Sequence, residues 1–369
     1  MSQQESQQQR QQQVIAWGRG QRPSASGYQQ LIDWELGDSR RAESWQISAD
    51  NVALALEDRA ALLQSLSDEL KAFPARFPLP GDWTDWVVPL WTFWLPLAQW
   101  LSQAQRTVGI PLIQGILGGQ GTGKTTLSQI LCLLLAHLGQ PAVGLSLDDL
   151  YLTYAQRQAL QQQDPRLRWR GPPGTHDIAL GLHTLSALKT AAPGEQIALP
   201  QFDKSLHHGQ GDRVSPRYQL APKIVLFEGW FVGAQPLQET VFTDHSLRLP
   251  APIDTPADRQ FARDCNHRLR DYLPLWSFID RLMILYPSDY RLSQQWRQQA
   301  EHRMKAQGNP GLGDLDIENF VTYFWKALHP QLYITPLTYR SQTSLVANIR
   351  SDHSLGDLYS PSAGHPDRV

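Results

Sequence analysis

A glycine-rich segment followed by a lysine and a threonine carries the most specific chemistry in this sequence. Residues 118–125 match the pattern G-x-x-x-x-G-K-[ST], in which backbone N–H groups of the loop and of the following helix surround a chain of phosphates. Lys124 is expected to reach the outer phosphates, and the hydroxyl of Thr125 is expected to bind Mg²⁺. The predicted site for ATP or GTP comprises Gly118, Gly119, Gln120, Gly121, Thr122, Gly123, Lys124, Thr125 and Thr126.

Carboxylates follow two apolar segments that are predicted as strands. Asp148 and Asp149 end residues 142–147, and Glu228 ends residues 223–227. Ligands of open α/β sheets bind at the carboxyl ends of the strands, so these positions favour function. One of the aspartates is the candidate that orients a substrate hydroxyl toward the γ-phosphate, and Glu228 is the candidate Mg²⁺-organising acid. Helix capping by the aspartates and a solvated glutamate are the alternatives.

Two cation-bearing segments lie between these strands and are predicted as loops. Residues 170–177 are rich in turn formers, and residues 200–213 combine cations with glycines, as an anion site does. Ordinary surface loops are the alternative. The adjacent His207 and His208 lack the Cys or carboxylate spacing of a zinc site, so metal binding is not predicted there.

A basic helical run ends at the glycine-rich residues 308–313. It carries Arg291, Arg297, Arg303 and Lys305. An arginine-bearing helix beside a glycine-rich hinge is typical of a lid that closes over phosphates, and Arg297 is assigned a catalytic role in it. A solvated charged helix is the alternative.

The elements that must position these residues follow from the apolar pattern. Residues 110–117 before the glycine-rich loop predict a strand, and residues 126–138 after it predict a helix that Gly139 ends. Further strands are predicted at 279–286 and 344–349. This alternation predicts the α/β class, with a mainly parallel sheet flanked by helices.

The predicted organisation has four parts. Residues 1–28 are expected to be a disordered, glutamine-rich N-terminus, and residues 351–369 a flexible tail. Between them we expect a helical, tryptophan-rich extension over 29–105 and a P-loop domain over 106–350.

Composition limits the partners and the compartment. The 369 residues carry a net charge of −2 without a basic block, so nucleic acid is not expected as a partner. Two cysteines and a start without an apolar core predict a cytoplasmic protein. The tryptophan-rich residues 86–101 are too short and too interrupted by proline to span a bilayer, so no stable membrane insertion is expected. A helix packed on the protein body is preferred there over peripheral membrane contact. Protein partners are not predicted.

Taken together, the motifs resemble the plant-type D-glycerate 3-kinases, relatives of the uridine kinase, phosphoribulokinase and pantothenate kinase group of P-loop kinases. The resemblance covers roughly residues 106–350 and is specific because the motifs occur in the same order. The matching segments are 118–126, 147–153, 174–177, 200–205, 211–213, 227–230, 300–304 and, within 266–272, Asn266, Leu269 and Tyr272.

The resemblance implies an ATP-dependent and Mg²⁺-dependent kinase that converts D-glycerate to 3-phosphoglycerate, the closing step of the photorespiratory glycerate pathway. It implies a P-loop kinase fold with a helical lid, and it makes Asp148 the strand-end catalytic acid beside Lys124. The substrate residues that it implies are Asp149, His176, Asp177, Asp203, Lys204 and Arg213. Lys204, Arg213 or both are expected to bind the carboxylate of glycerate, and His176 is expected to help position a hydroxyl.

Two other functions remain open at this point. One is a kinase for another small hydroxylated metabolite, such as pantothenate, a nucleoside or ribulose phosphate. The other is a nucleotide-binding regulatory module that closes its lid without phosphoryl transfer. Asp148, Glu228 and the arginine-bearing helix together argue against the second, because a pure switch has no need of an acid that orients a hydroxyl.

Overall fold

The apolar segments predicted as strands form one sheet that carries the phosphate loop at its carboxyl edge. The computed structural model describes residues 3–66, 69, 83–306 and 313–361. The strands are β1 Leu112–Gly118, β2 Ala142–Ser146, β3 Gln196–Asp203, β4 Asp212–Leu220, β5 Ile224–Gly229, β6 Arg281–Pro287, β7 Thr343–Ile349 and β8 Leu355–Tyr359. All five predicted strands are confirmed to within two residues at each end.

The central strands are parallel and lie in the order β2-β5-β1-β6-β7. Every residue of β1 and β5 is buried, as expected for strands covered by helices on both faces. In the register of these two neighbours, Leu117 lies opposite Gly229. The loop after β1 and the acid at the end of β5 therefore meet at one edge of the sheet.

Helices cover both faces of this sheet. Those before it are α1 Gln3–Gly18, α2 Ala25–Leu36, α3 Ser39–Ser44, α4 Val52–Ser65, α5 Trp83–Pro89 and α6 Leu95–Val108, with a π-helical turn at Leu90–Trp94. Those that follow the glycine-rich loop are α7 Lys124–His137, α8 Tyr154–Gln163, α9 Ile178–Thr190, α10 Thr240–Thr243, α11 Pro256–Leu269, α12 Leu273–Trp276, α13 Leu292–Ala306, α14 Asp314–Ala327 and α15 Pro330–Tyr333. Short 3₁₀ turns lie at Leu147–Leu150, Arg270–Tyr272 and Thr335–Tyr339.

The N-terminal region differs from the expected disorder over residues 1–28. Residues 3–18 form α1, and both Val14 and Trp17 at its end are buried. Trp17 packs against Trp91, with ring centroids 5.9 Å apart. Although α1 is rich in glutamine, its C-terminal end is apolar and packs against a residue more than seventy positions away in the sequence. The expectation of disorder, which rested on composition alone, was therefore wrong for this segment.

The tryptophan-rich segment packs inward. Trp86 and Trp91 are buried, and the indole N–H of Trp45 donates to the carbonyl of Thr92 at 3.2 Å. Among the described residues, no helix is long and apolar enough to cross a membrane. The preferred expectation for residues 86–101, a helix packed on the protein body, agrees with the structure.

Two further segments differ from the sequence-based expectation. The segment predicted as a loop over 200–213 belongs to an antiparallel hairpin of β3 and β4, which residues 204–211 connect. Residues 355–359, expected to be part of a flexible tail, form β8, which pairs antiparallel with β7 and buries Leu358. β3 and β8 are only partly buried and β4 is mostly exposed, which leaves a weak apolar signal in the sequence. Residues 362–369 lie outside the described part.

Candidate functional site

The glycine-rich loop leads directly into α7, whose first residue is Lys124. The backbone φ values of Gly121 and Gly123 are +80° and +84°, a region that side chains disfavour. A Cβ at Gly121 would also lie 2.6 Å from Cβ of Trp296 on α13. The loop therefore has the conformation and the helix N-terminus that a phosphate chain requires, and α13 closes over it.

Thr125 and Glu228 form the pair predicted for Mg²⁺. The hydroxyl of Thr125 donates to Oε1 of Glu228 at 2.8 Å across the gap between α7 and β5. A hydroxyl and a carboxylate are hard oxygen ligands, and Mg²⁺ in phosphate-transfer sites takes one or two protein ligands together with phosphates and water. The pair therefore fits a magnesium ion that is shared with a nucleotide. Among the described residues, no group of three His, Cys, Asp or Glu side chains could hold a metal alone.

Lys124 interacts electrostatically with both acids of the site, Glu228 and Asp148. Its ammonium donates to the carbonyl of Gly119 at 3.0 Å. Burial lowers the pKa of Lys124, while the carboxylates of Glu228 and Asp148 act in the opposite direction. The phosphate-binding lysine, the magnesium-type acid and the strand-end aspartate therefore share one electrostatic environment.

Asp148 is held by two donors. Tyr151 donates to Oδ1 at 2.8 Å, and Lys204 from the hairpin turn donates to Oδ2 at 2.6 Å. Burial by itself would raise the pKa of Asp148, but the charge of Lys204 and these two hydrogen bonds outweigh it and hold the pKa below its ordinary value. Asp148 is therefore ionised over the whole physiological range and can accept a hydrogen bond from a hydroxyl.

Asp149 has a different environment. Its Oδ2 accepts from the backbone N–H of Ser146 at 3.2 Å, and the Ser146 hydroxyl accepts from the N–H of Asp148, so the two side chains form a capping box on the 3₁₀ turn. Burial raises the pKa of Asp149. This arrangement favours a structural role for Asp149, which was predicted as a substrate residue.

His176 lies beside Tyr151, the residue whose hydroxyl holds Asp148. Its imidazole stacks on the ring of Tyr151, with centroids 4.5 Å apart, and its Nδ1 is 2.7 Å from the hydroxyl of Tyr272. The residue is 4% exposed, and its Nε2 has no hydrogen-bond partner. Burial lowers the pKa of His176 to about 3, so the ring is neutral at physiological pH.

The remaining substrate candidates are distributed around the hairpin. Arg213 donates to the carbonyl of Tyr151 at 2.9 Å and to Asp177 at 3.1 Å, and Asp177 also caps α9. Asp203 accepts from the backbone and the hydroxyl of Ser205 and shapes the turn that carries Lys204. Of the two cations predicted to bind a carboxylate, the structure places Lys204 on the catalytic candidate and engages Arg213 in supporting contacts.

The lid helix is present as α13, but Arg297 has partners of its own. It pairs with Glu301 at 2.6 Å and lies over the ring of Phe320 at 5.7 Å. The catalytic role of Arg297 stays a prediction. The glycine-rich hinge over residues 308–312 lies outside the described residues.

Sequence reasoning did not assign three residues that the structure brings to this site. Tyr151 holds Asp148, Tyr272 holds His176, and Trp296 covers the glycine-rich loop. Tyr151 follows Asp148 by three residues, directly after the 3₁₀ turn, a spacing that could have indicated it. The contacts of Tyr272 and Trp296 join segments more than ninety residues apart, and no local pattern predicts them.

A groove of about 850 Å³ opens beside the site. It runs between α7 and β2 and is bordered by Thr125, Glu228, Asp149 and, from β4, Arg217. Its volume falls in the range of small-molecule sites. The groove gives the Thr125–Glu228 pair an open approach from this side.

Comparisons with known proteins agree with this geometry, although no family model matches the chain. The "Uncharacterized kinase mug58" of Schizosaccharomyces pombe is 33% identical over 236 residues, which cover 62% of this chain and 83% of that protein. The chloroplastic D-glycerate 3-kinase of Arabidopsis thaliana is 32% identical over 235 residues, 60% of this chain but only 49% of that protein. This chain therefore matches about half the length of the Arabidopsis enzyme. The structure of a D-glycerate 3-kinase from Cryptococcus neoformans superimposes with a TM-score of 0.62 at 27% identity and covers 72% of this chain and 99% of that one.

Proposed function

The chain belongs to the family of P-loop kinases that includes the D-glycerate 3-kinases, and from that premise we propose that it transfers the γ-phosphoryl group of ATP to D-glycerate. In this reaction the 3-hydroxyl oxygen attacks the γ-phosphorus, the bond to the ADP oxygen breaks, and the hydroxyl proton passes to Asp148. The products are 3-phosphoglycerate and ADP. The observation that carries the proposal is the Lys204–Asp148 pair at 2.6 Å, in the electrostatic environment of Lys124.

Lys204 supports a substrate that carries a carboxylate. Its side chain is 59% exposed, so it can turn toward an incoming anion. When the ammonium binds the substrate carboxylate, one oxygen of Asp148 becomes free to accept from the neighbouring hydroxyl. A charge-assisted contact of this kind suits a small hydroxy acid, which offers few other groups for recognition.

Lys124 and the N-terminus of α7 supply the positive potential at the phosphates. Catalysis of phosphoryl transfer consists mainly of positioning and of stabilising charge that spreads over the phosphoryl oxygens. A magnesium ion held by Thr125 and Glu228 would neutralise further charge on the phosphates. Asp148 then needs only to orient the hydroxyl and to accept its proton.

The magnesium assignment has a direct test in Glu228→Gln. We expect this variant to lose turnover and to recover part of it at high Mg²⁺, because an amide oxygen is a weaker ligand than a carboxylate. Titration of kcat with MgCl₂ at saturating ATP measures this. A magnesium dependence identical to that of the wild type would contradict the assignment.

The substrate is tested by ADP release in a coupled assay. D-glycerate is compared with L-glycerate, glycerol, pantothenate and uridine, and Lys124→Ala is the inactive control because nothing replaces its ammonium. We expect D-glycerate to have the highest kcat/KM and glycerol to be poor. Equal turnover of glycerol and glycerate would exclude a carboxylate site. Pantothenate also carries a carboxylate and hydroxyls, so a preference for it would identify a kinase for another hydroxylated metabolite. ATP binding without any turnover would favour a nucleotide-binding regulatory module.

A further inference from the structure

A chain of three hydrogen-bonding groups ends at His176. The backbone N–H of Gly174 donates to the hydroxyl oxygen of Tyr272 at 2.9 Å, and the same hydroxyl is 2.7 Å from Nδ1 of His176. Tyr272 is completely buried, so its proton cannot turn to water. The hydroxyl already accepts from Gly174, and its proton is paired only if it donates to Nδ1.

This direction of the hydrogen bond determines the tautomer of the imidazole. A neutral imidazole carries one proton, and if Nδ1 accepts from Tyr272 the proton must lie on Nε2. Burial keeps both groups in this state, since it lowers the pKa of His176 to about 3 and raises that of Tyr272 well above its ordinary value. The Nε2–H group is therefore a permanent donor and cannot act as a base.

This donor has no acceptor among the protein groups around it. Nε2 of His176 is buried and unpaired, and a buried N–H without an acceptor costs free energy that a binding partner would return. The ring of Tyr151 stacks on the imidazole, while the hydroxyl of the same tyrosine holds Asp148. The donor therefore lies one ring away from the carboxylate proposed to accept the substrate proton.

We propose that Tyr272 is a positioning residue that fixes His176 with its proton on Nε2, and that this N–H donates to an oxygen of the acceptor substrate. The second half rests on the proposed function, whereas the first half does not. Nε2 is buried, so contact with a substrate requires a small shift of the side chains around it. The donor selects an acceptor oxygen, such as a carboxylate or a hydroxyl, and Asp148 remains the only base of the pair.

The tautomer is tested without substrate. Long-range ¹H–¹⁵N NMR spectra of the histidine-labelled, full-length protein distinguish the two neutral tautomers, and His176→Gln identifies the His176 signals. We expect the Nε2–H tautomer in the wild type and a mixture of tautomers in Tyr272→Phe. A wild-type Nδ1–H tautomer, or a spectrum that Tyr272→Phe leaves unchanged, would overturn the proposal.

The contact with substrate is tested by kinetics on the best acceptor in the assay panel. Tyr272→Phe should raise the KM of the acceptor about tenfold and change kcat less than about threefold, as the loss of one neutral hydrogen bond predicts. The matched control is Tyr333→Phe, which removes another buried hydroxyl, 3.0 Å from Oδ1 of Asn266. Equal KM values in the two variants would overturn the proposed hydrogen bond between His176 and the substrate. The proposal that the substrate is glycerate would be unaffected.

Two further variants keep the test valid if Tyr272→Phe does not fold. Gln at position 176 retains an N–H near the position of Nε2, whereas Leu removes it. We expect the KM of His176→Gln to stay closer to the wild-type value than that of His176→Leu, with similar melting temperatures. If both variants raise KM equally, the N–H donor is not what the substrate recognises.

Discussion

At the scale of single residues, the adjacent aspartates after β2 differ in the groups that donate hydrogen bonds to them. Asp148 receives a tyrosine hydroxyl and a lysine ammonium from side chains, whereas Asp149 receives a backbone N–H of its own turn. Side-chain donors can move when a substrate arrives, but a capping hydrogen bond is part of the turn itself. We therefore propose that Asp148 performs the chemistry and that Asp149 keeps the turn in place.

Replacement of Asp148 by Asn tests this division. We expect kcat to fall roughly 10²–10⁴-fold, because the group that orients the hydroxyl acts mainly in the transition state. ATP affinity, measured by titration calorimetry, should change little. Asp149→Asn is the matched variant. It should lower the melting temperature and leave kcat close to the wild-type value. Loss of ATP affinity in Asp148→Asn, with turnover intact, would instead indicate a role in magnesium binding.

The ion pair of Lys204 with Asp148 predicts a change in the pH profile. Burial acts to raise the pKa of Asp148, and the ammonium of Lys204 is the main influence that lowers it. Lys204→Met should therefore raise this pKa, and because the base works only when ionised, the acid limb of the kcat/KM profile should move to higher pH. Lys204→Arg keeps the charge and should leave the limb in place. A profile for Lys204→Met that coincides with the wild type would show that the pair does not control the base.

At the scale of elements, the glycine-rich loop and the lid helix α13 constrain each other. Both Gly121 and Gly123 have positive φ, but a side chain at Gly123 would meet open space, whereas one at Gly121 would collide with Trp296. Substitutions at these two glycines therefore distinguish the effect of backbone strain from the effect of displacing α13.

Alanine substitutions at these glycines form a matched pair. Gly123→Ala should weaken ATP binding by the cost of a left-handed conformation alone, about 1–2 kcal/mol. Gly121→Ala carries the same strain and must also displace α13, so its dissociation constant for ATP should rise further. Equal dissociation constants, measured by fluorescence or calorimetry, would show that α13 leaves the loop when the nucleotide binds.

The parallel strands were predictable because each is a short apolar run. Their carboxyl ends located Asp148 and Glu228, and the glycine-rich motif located Lys124. The β3–β4 hairpin was not predictable, because β3 is only partly buried, β4 is mostly exposed, and the cations and glycines of residues 200–213 indicated a loop. The formation of a hairpin in place of the predicted loop determines which cation contacts Asp148. The hairpin carries Lys204 toward the aspartate and Arg213 toward Asp177, a distribution that depends on strand register and not on sequence spacing.

At the scale of the whole molecule, the N-terminal helices and the kinase part share one core. Buried residues from α1, α4 and α6 form a single cluster with residues of β1, α7 and β8. The predicted boundary near residue 106 therefore separates two sequence patterns but not two cores. The sequence showed the helices and their apolar residues, yet the partner of Trp17 could not be inferred, because Trp91 lies in a different helical segment.

A buried ion pair lies within this extension and makes the shared core testable. Arg59 donates two hydrogen bonds to Glu35, at 2.9 and 3.2 Å, and its guanidinium lies 5.3 Å from the ring centroid of Trp91. Both members of the pair are at most 1% exposed. Glu35→Ala leaves the arginine charge buried and unpaired, which costs about 3–5 kcal/mol.

The effect of Glu35→Ala should reach the phosphate site if the core is one cooperative unit. We expect hydrogen exchange to accelerate in β1 and β5 as well as in α2 and α4, and unfolding followed by tryptophan fluorescence and by circular dichroism to give one shared transition. Glu57→Ala is the matched control, because it removes an exposed partner of Arg22 and should cost less than about 1 kcal/mol. Acceleration confined to the helices before residue 109 would mean that the extension unfolds independently, and its packing against α7 would then contribute nothing to the stability of the loop that binds the phosphates.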